Sequence, residues 1–355
     1  MDFKQNLADL KLEIDKQIEL YLNVIIKEVS SRDRFVADSL QVVKKSILSG
    51  GKRIRPALMY WGYLGAGGKE KEKIIKASIG IELIHAFLLI HDDIMDRDLI
   101  RHGKPTINAV YQKFGQKNFK EKDAEHFGNS MAIIVGDMIG ALGNQVIFES
   151  KFPPDLIMRA LSKLQDIVSL TVIGQAKDIN MEYFGRADED DVLQMYEYKT
   201  AKYTLEGPLH LGGILGEAKP EILESYSSLS IPLGIAFQIQ DDILGIFGTE
   251  KIIGKTIGSD IAEGKQTILV IKALERGSRS ECKRIKELLG KQNITKQEVE
   301  EFKNILIQTG SLDYAKELAK NLIVKGKKEI KMAMVEKNAK DFLLDLAEYL
   351  VSRDY

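Results

Sequence analysis

The sequence predicts an all-α protein, one large helical domain over residues 1-355, and three observations carry that prediction. Apolar residues recur at spacings of three and four through most of the chain, the period of a helix with one buried face. No run of strict apolar–polar alternation rich in β-branched residues occurs, so strands are not expected. No linker composition, internal repeat or low-complexity tract divides the 355 residues, and 44% hydrophobic content with only 7 prolines suits one ordinary core.

The helical period runs over 10–24, 35–48, 74–95, 131–148, 156–181, 192–215, 222–247, 268–274, 299–307 and 312–334. Between these lie breakers: Gly50-Gly51, Gly65 to Gly68, Gly103 to Pro105, Pro153-Pro154 and Lys219-Pro220. Pro208 and Pro232 fall inside periodic segments and should kink them. Thr295 with Glu298 forms a capping box ahead of an apolar run. The glycine-rich stretch 248–266, with Lys255, Asp260 and Lys265, reads as a long functional lid. The helices of 268–355 are expected to pack the domain and support that flap.

Composition excludes several classes of function. With 51 basic and 52 acidic side chains the net charge is −1, and no dense Lys/Arg tract offers itself to nucleic acid. The single cysteine, Cys282, allows no intramolecular disulfide and suits a reducing compartment. Residues 1–22 read as an amphipathic helix without the basic start and apolar run of a signal peptide. No run of about 18 uncharged apolar residues occurs. The best stretch, 79–90, is broken by Glu82 and His85. A cytoplasmic location without stable membrane insertion is the expectation. No Gly-x-Ser-x-Gly elbow occurs, and Cys282 has no nearby histidine, so covalent catalysis is not expected.

Three Asp-Asp pairs stand in the chain, and context separates them. Asp190-Asp191 belongs to an acidic cluster at a helix start, where carboxylates meet the positive end of the dipole. The other two lie in apolar helices: Asp92-Asp93 with Asp96, and Asp241-Asp242. Asp92 and Asp96 share a helical face, a like-charge spacing that costs about 0.2–0.5 kcal/mol, and burial without partners would cost more. Two solutions are open on spacing alone: ion pairs with Arg97, Arg101 and Lys104, or Mg²⁺, which takes one or two carboxylates plus substrate phosphates. The segment Gly50-Gly51-Lys52-Arg53-Ile54-Arg55-Pro56 puts two glycines and three cations at a helix start, suited to phosphate or to a solvated turn. His85, seven residues before Asp92, is on its own as readily a core histidine as a ligand.

Together these residues resemble the trans-isoprenyl diphosphate synthase, or polyprenyl synthetase, family over roughly 49–267. Gly51 to Pro56 is similar to its isopentenyl-diphosphate segment, and Asp92-Asp93-Ile94-Met95-Asp96 to its first aspartate-rich motif. Arg101-His102-Gly103-Lys104-Pro105-Thr106 follows at the family's distance. Gly174-Gln175, Asp178, Lys199-Thr200 and Phe237-Gln238 with Asp241-Asp242 resemble the later motifs, and Lys255, Asp260 and Lys265 the flap. The resemblance implies a helical bundle of the isoprenoid synthase type with a central cavity, a homodimer, and head-to-tail condensation of isopentenyl diphosphate with an allylic diphosphate. It implies that Lys52, Arg55 and His85 bind isopentenyl diphosphate, and His102, standing where the family has a second arginine, is expected to offer it a further hydrogen bond. Asp92, Asp96 and Asp241 would ligate three Mg²⁺, with Asp93 and Asp242 holding metal-bound waters. Arg101, Lys199, Gln238 and Lys255 would grip the allylic diphosphate, with Lys265 beside them. Thr200 and Gln238 would face the developing cation.

Two departures stand out: His102 occupies the place of a second arginine, and Gly245 that of the third aspartate of the second motif. Phe87 five residues before Asp92, the non-aromatic Leu88 four before it and an uninterrupted first motif resemble the geranylgeranyl-producing pattern, with farnesyl or longer products as alternatives. A terpene cyclase would not need Lys52, Arg55 and a full second aspartate pair. An inactive partner subunit would be expected to have lost aspartates that this chain keeps.

Overall fold

Leu7, Leu10, Ile14, Ile18, Leu22 and Ile26 follow one another at three- and four-residue steps, and all six are buried along the inner face of the first helix. The computed structural model describes residues 3–101, 103–119, 123–248 and 258–351. In order come α1 (Phe3–Ser30), α2 (Arg34–Leu48), α3 (Ile54–Gly65), α4 (Lys71–Met95), β1 (Ile100–Arg101), β2 (Lys104–Pro105), α5 (Ile107–Asn118), α6 (Ala124–Phe148), α7 (Pro154–Phe184) and α8 (Glu189–Tyr196). A π-helical segment, Glu197–Glu206, leads into α9 (Gly207–Leu215) and α10 (Pro220–Phe247). The later helices are Ser259–Glu263, Ile268–Arg276, Arg279–Leu288, Lys296–Gln308, Ser311–Met332 and Lys337–Val351.

Local chemistry explains many of the helix starts. Asp33 caps α2 by accepting from the Val36 N–H, and Asp123 caps α6 by accepting from His126. Asp188 and Asp191 close a capping box on α8, so the acidic cluster there belongs to a helix start. The box of Thr295 and Glu298 forms as expected.

One apolar core extends from Leu7 to Leu350. Helix α4 lies along α6, α3 along α9, and α10 along Ser311–Met332. The α4–α6 crossing is close because glycines face one another. A Cβ on Gly80 would stand 2.8 Å from the Gly143 carbonyl oxygen, and one on Gly143 would stand 2.9 Å from that of Gly80. By length and composition α4 and α6 are each apolar enough to cross a membrane, although neither is wholly uncharged; half or more of each apolar window is buried inside the protein.

Three expectations are corrected. The antiparallel ladder pairs Ile100 with Pro105 and Arg101 with Lys104, so a short strand pair does exist. The lid stretch is not wholly irregular, because Ser259–Glu263 is helical. The single segment 192–215 is divided by the π-helical turns, which end where Pro208 enters the first turn of α9. Proline has no N–H and its ring crowds the carbonyl four residues back. The wider i→i+5 turn just before it, with the Gly207 N–H on the Lys202 carbonyl, accommodates both demands.

Candidate active site

Helix α4 carries Asp92 and Asp93 to its last turn, and Asp96 is its C-cap. Asp93 turns inward and is buried. The β1–β2 ladder returns Arg101 over it, with Nε 2.5 Å from Asp93 Oδ1. Arg101 Nη2 also lies 3.3 Å from Asp98 and 3.6 Å from Asp92. Burial pushes the Asp93 carboxyl up to about 6, and Arg101 offsets only part of that.

Opposing carboxylates come from α10, which carries Gln238, Asp241 and Asp242. Asp242 is buried and receives two donors: the Tyr196 hydroxyl, and Gln238 Nε2 at 2.8 Å. Thr200 Oγ1 in turn donates to Gln238 Oε1 at 2.6 Å. The Tyr196 oxygen also accepts the Ile268 N–H at 3.0 Å, tying the site to the helix beyond the flap. Burial pushes Asp242 up to about 7 against the pull of Tyr196 and Gln238, with Asp260 and Asp241 raising it further.

Two lysines stand among these acids. Lys199 Nζ donates to Asp178 Oδ2 on α7 at 2.6 Å. Lys265 Nζ is 3.0 Å from Glu263 and 3.5 Å from Asp96. Burial alone would lower both ammonium groups. Instead both are raised, Lys199 by Asp178, Asp92 and Asp96, and Lys265 by Asp96, Glu263, Asp178 and Asp260. Lys265 thus joins the acids of α4 to those beside α10. Gly245 has a positive reason to be glycine: a Cβ there would overlap the Asp260 carboxylate.

Beside this cluster is a cavity of about 100 Å³ whose lining includes Gly50, Gly51, Arg53, His85, Arg101 and Lys104. Arg55 Nη1 sits 3.0 Å from His85 Nε2, and Nη2 donates to Thr204 Oγ1 at 2.8 Å. Its guanidinium also lies 4.7 Å above the Tyr203 ring. Arg55 and His85 therefore meet, as the sequence suggests. Lys52 is exposed, with its ammonium 4.9 Å over the Tyr349 ring. Arg53 is corrected: it is no free phosphate donor but is buried against Asp15 and Glu82. His102 and Lys255 lie outside the described residues. Phe87 and Leu88 are half-buried one turn above Asp92. The Phe87 ring packs over Gly140 of α6 and edge-on to His91.

Among the described residues no three acidic or histidine side chains converge to hold an ion by themselves. Hard oxygen donors spread over α4 and α10 instead fit a divalent cation that completes its shell with phosphate oxygens. Burial, above all, pushes the Asp93 and Asp242 carboxyls upward, so a cation arriving beside them would favour their ionised forms.

Glu182 was not singled out from the sequence, though it repeats the signal that marked Asp92 and Asp96: a carboxylate four residues after another, Asp178, in an apolar helix. Burial, then Asp178, pushes it up to about 7, against Lys265. Folding therefore favours the protonated form. That contribution is fully present below the ordinary value of 4.5 and is lost as pH rises through about 7. Metal-free Glu182→Gln protein is expected to melt close to the parent near pH 4 and increasingly above it as pH rises to about 7, with the difference levelling off beyond that. A melting difference that stays constant over that range overturns this account.

Fold and site define a class, an all-α enzyme with carboxylate-bearing helices around a cavity. The chain belongs to the polyprenyl synthetase family, whose sequence pattern matches residues 38–306. It is 34% identical over 348 residues to the geranylgeranyl diphosphate synthase of Saccharolobus solfataricus, covering 95% of this chain and 98% of that one. The structure of geranylgeranyl pyrophosphate synthase from Corynebacterium glutamicum, complexed with isoprenyl diphosphate and magnesium, superposes with a TM-score of 0.93 at 27% identity over 100% of both chains. Geranylgeranyl pyrophosphate synthetase from Pyrococcus horikoshii superposes at 0.83 with 29% identity, over 99% of each chain.

Proposed function

We propose that this protein condenses isopentenyl diphosphate with allylic diphosphates, head to tail, to give geranylgeranyl diphosphate (C20). The observation that carries the reading is the pairing of two unlike subsites. One gathers Asp92, Asp96 and Asp178 around Lys199 and Lys265. The other is a cavity lined by Gly51, His85 and Lys104, with Arg55 against His85. A cyclase handles one diphosphate and has no use for the second.

In this reading Asp92, Asp96 and Asp241 would hold Mg²⁺, three ions by the family's pattern, together with the allylic diphosphate, and Asp93 and Asp242 would support them from behind. Bound Mg²⁺ supplies charge neutralisation on the leaving diphosphate. Arg101, Lys199 and Lys265 add fixed positive charge where negative charge accumulates, so the carbon–oxygen bond breaks with its electron pair on oxygen. Lys52, Arg55 and His85 hold isopentenyl diphosphate so that its double bond supplies the pair for the new carbon–carbon bond. A proton then leaves the adjacent carbon, and the released diphosphate is the base at hand. The Thr200–Gln238 pair sets a carboxamide dipole against the cationic carbon, and the apolar interior excludes water.

Exposed Ile134 and Phe148 of α6, with Met158 and Val172 of α7, support a homodimer through this face. Gln165 Nε2 donates to Asn144 Oδ1 at 2.8 Å and holds those two helices side by side. We place the enzyme in the cytoplasm.

The test is incubation with isopentenyl diphosphate, Mg²⁺ and dimethylallyl, geranyl or farnesyl diphosphate, followed by product chromatography. A C20 diphosphate is expected from each. Cyclised hydrocarbon, or release of diphosphate without chain growth, overturns the reading.

A further inference from the structure

Arg53 stands between the two residues assigned to isopentenyl diphosphate, yet it is only 4% exposed. Each of its guanidinium nitrogens is committed to a different helix. Nε donates to Asp15 Oδ1 of α1 at 2.6 Å, Nη1 to Glu82 Oε1 of α4 at 2.7 Å, and Nη2 to the Ile47 carbonyl of α2 at 2.6 Å. Asp15 is paired in turn with Lys11, so two bases balance two acids. An arginine spent in this way has little left to offer a phosphate.

The backbone is committed too. Arg53 sits at φ 54° and ψ 36°, a left-handed conformation that costs a residue with a Cβ about 1–2 kcal/mol. Two residues earlier, Gly51 has φ 89°, and a Cβ there would come 2.6 Å from Arg53 Nη1. The glycine leaves room for the guanidinium to cross beneath the turn. The left-handed residue sends one side chain inward while its neighbours leave in other directions, Lys52 toward Tyr349 and Arg55 toward His85 and Thr204.

We propose that Arg53 is the positioning residue of the isopentenyl diphosphate site, fixing the turn at 50–53 from which Lys52 and Arg55 are presented, and that Asp15 of the N-terminal helix acts on the substrate through it. This rests on Lys52, Arg55 and His85 being the isopentenyl diphosphate contacts. Lysine cannot replace Arg53, because one ammonium cannot serve three acceptors that diverge from a planar fork. Losing the arginine altogether would strand buried Glu82 without its cation. The Asp15 bond is the gentler point of entry, since Asp15 keeps Lys11 and lies nearer the solvent.

The experiment is steady-state kinetics of the full-length enzyme with each substrate varied in turn, for Arg53→Lys, Asp15→Asn, Lys52→Ala and Arg55→Ala, with melting curves alongside. Arg53→Lys is expected to raise KM for isopentenyl diphosphate about tenfold and Asp15→Asn about threefold, with KM for the allylic substrate within about twofold. If Arg53→Lys does not fold, Asp15→Asn decides. Lower melting temperatures with no selective change in isopentenyl diphosphate KM would mean that Arg53 only holds helices together, and the proposal falls. If Lys52→Ala and Arg55→Ala raise that KM while Arg53→Lys and Asp15→Asn do not, positioning alone is wrong. If Lys52→Ala and Arg55→Ala leave it unchanged, the assignment of the site itself is wrong.

Discussion

Asp92→Ala and Asp96→Ala are each expected to leave the protein folded and to cut turnover roughly a thousandfold, about 4 kcal/mol of lost transition-state stabilisation. The fold should survive because the backbone at the end of α4 does not depend on either side chain: the Asp96 N–H still reaches the Asp92 carbonyl at 2.8 Å. Deleting one of two like charges four residues apart also removes a repulsion. One opposing effect must be weighed. Lys265 lies against Asp96, so losing that carboxylate withdraws one counter-charge from a buried ammonium. Glu263, Asp178 and Asp260 remain, which should confine the loss to a few degrees of melting temperature. A second readout separates metal binding from general damage: the Mg²⁺ concentration for half-maximal rate should rise in both variants. Normal turnover at the parent's Mg²⁺ concentration would falsify the assignment of these two carboxylates.

The sequence made the helical class legible because periodicity is a one-dimensional record of burial, and α1, α4 and α10 write it clearly. Helix α5 and Lys337–Val351 fell outside the recognised segments, and α3 showed only its start at Pro56. Helix α3 is buried on nearly every side and so carries no amphipathic period, whereas α5 is short with a mixed face. The acids of the site were legible because an Asp-Asp pair in an apolar helix is costly without a partner. What the sequence could not show was direction. Nothing local says that Arg53 turns inward while Arg55 reaches His85, since both follow the same glycines. Nor does any spacing announce that Tyr196, at the end of an unremarkable helix, donates to Asp242 and accepts from Ile268. The departure at Gly245 looks like a missing carboxylate in one dimension. In three it is the space taken by Asp260.

Product length should respond to Phe87 and Leu88 more than to any other single side chain. A growing chain anchored at the carboxylates must run back along α4 into the apolar interior, and a helix rises about 1.5 Å per residue, so these two side chains stand roughly 6–8 Å from Asp92 along the axis. The Phe87 ring is held in place. It packs over Gly140, where a Cβ would come 3.1 Å from the ring, and edge-on to His91 at a centroid distance of 4.8 Å. Phe87→Ala is expected to open the path toward Ile84 and Ile81 and to yield diphosphates longer than C20, at some cost in stability, since emptying an aromatic site in a core costs about 3–5 kcal/mol when fully buried and less at a half-buried position. Leu88→Phe should act in the opposite sense, placing a second ring one turn above the aspartates and shifting products toward C15. The two variants guard against different errors. Loss of stability alone could blur the Phe87→Ala distribution, but it cannot shorten the products of Leu88→Phe. Chromatography of products from isopentenyl and farnesyl diphosphate, with chain lengths set against standards, decides the matter. If both variants reproduce the parent distribution, the floor of the tunnel lies elsewhere and Phe87 serves only to pack α4 against α6.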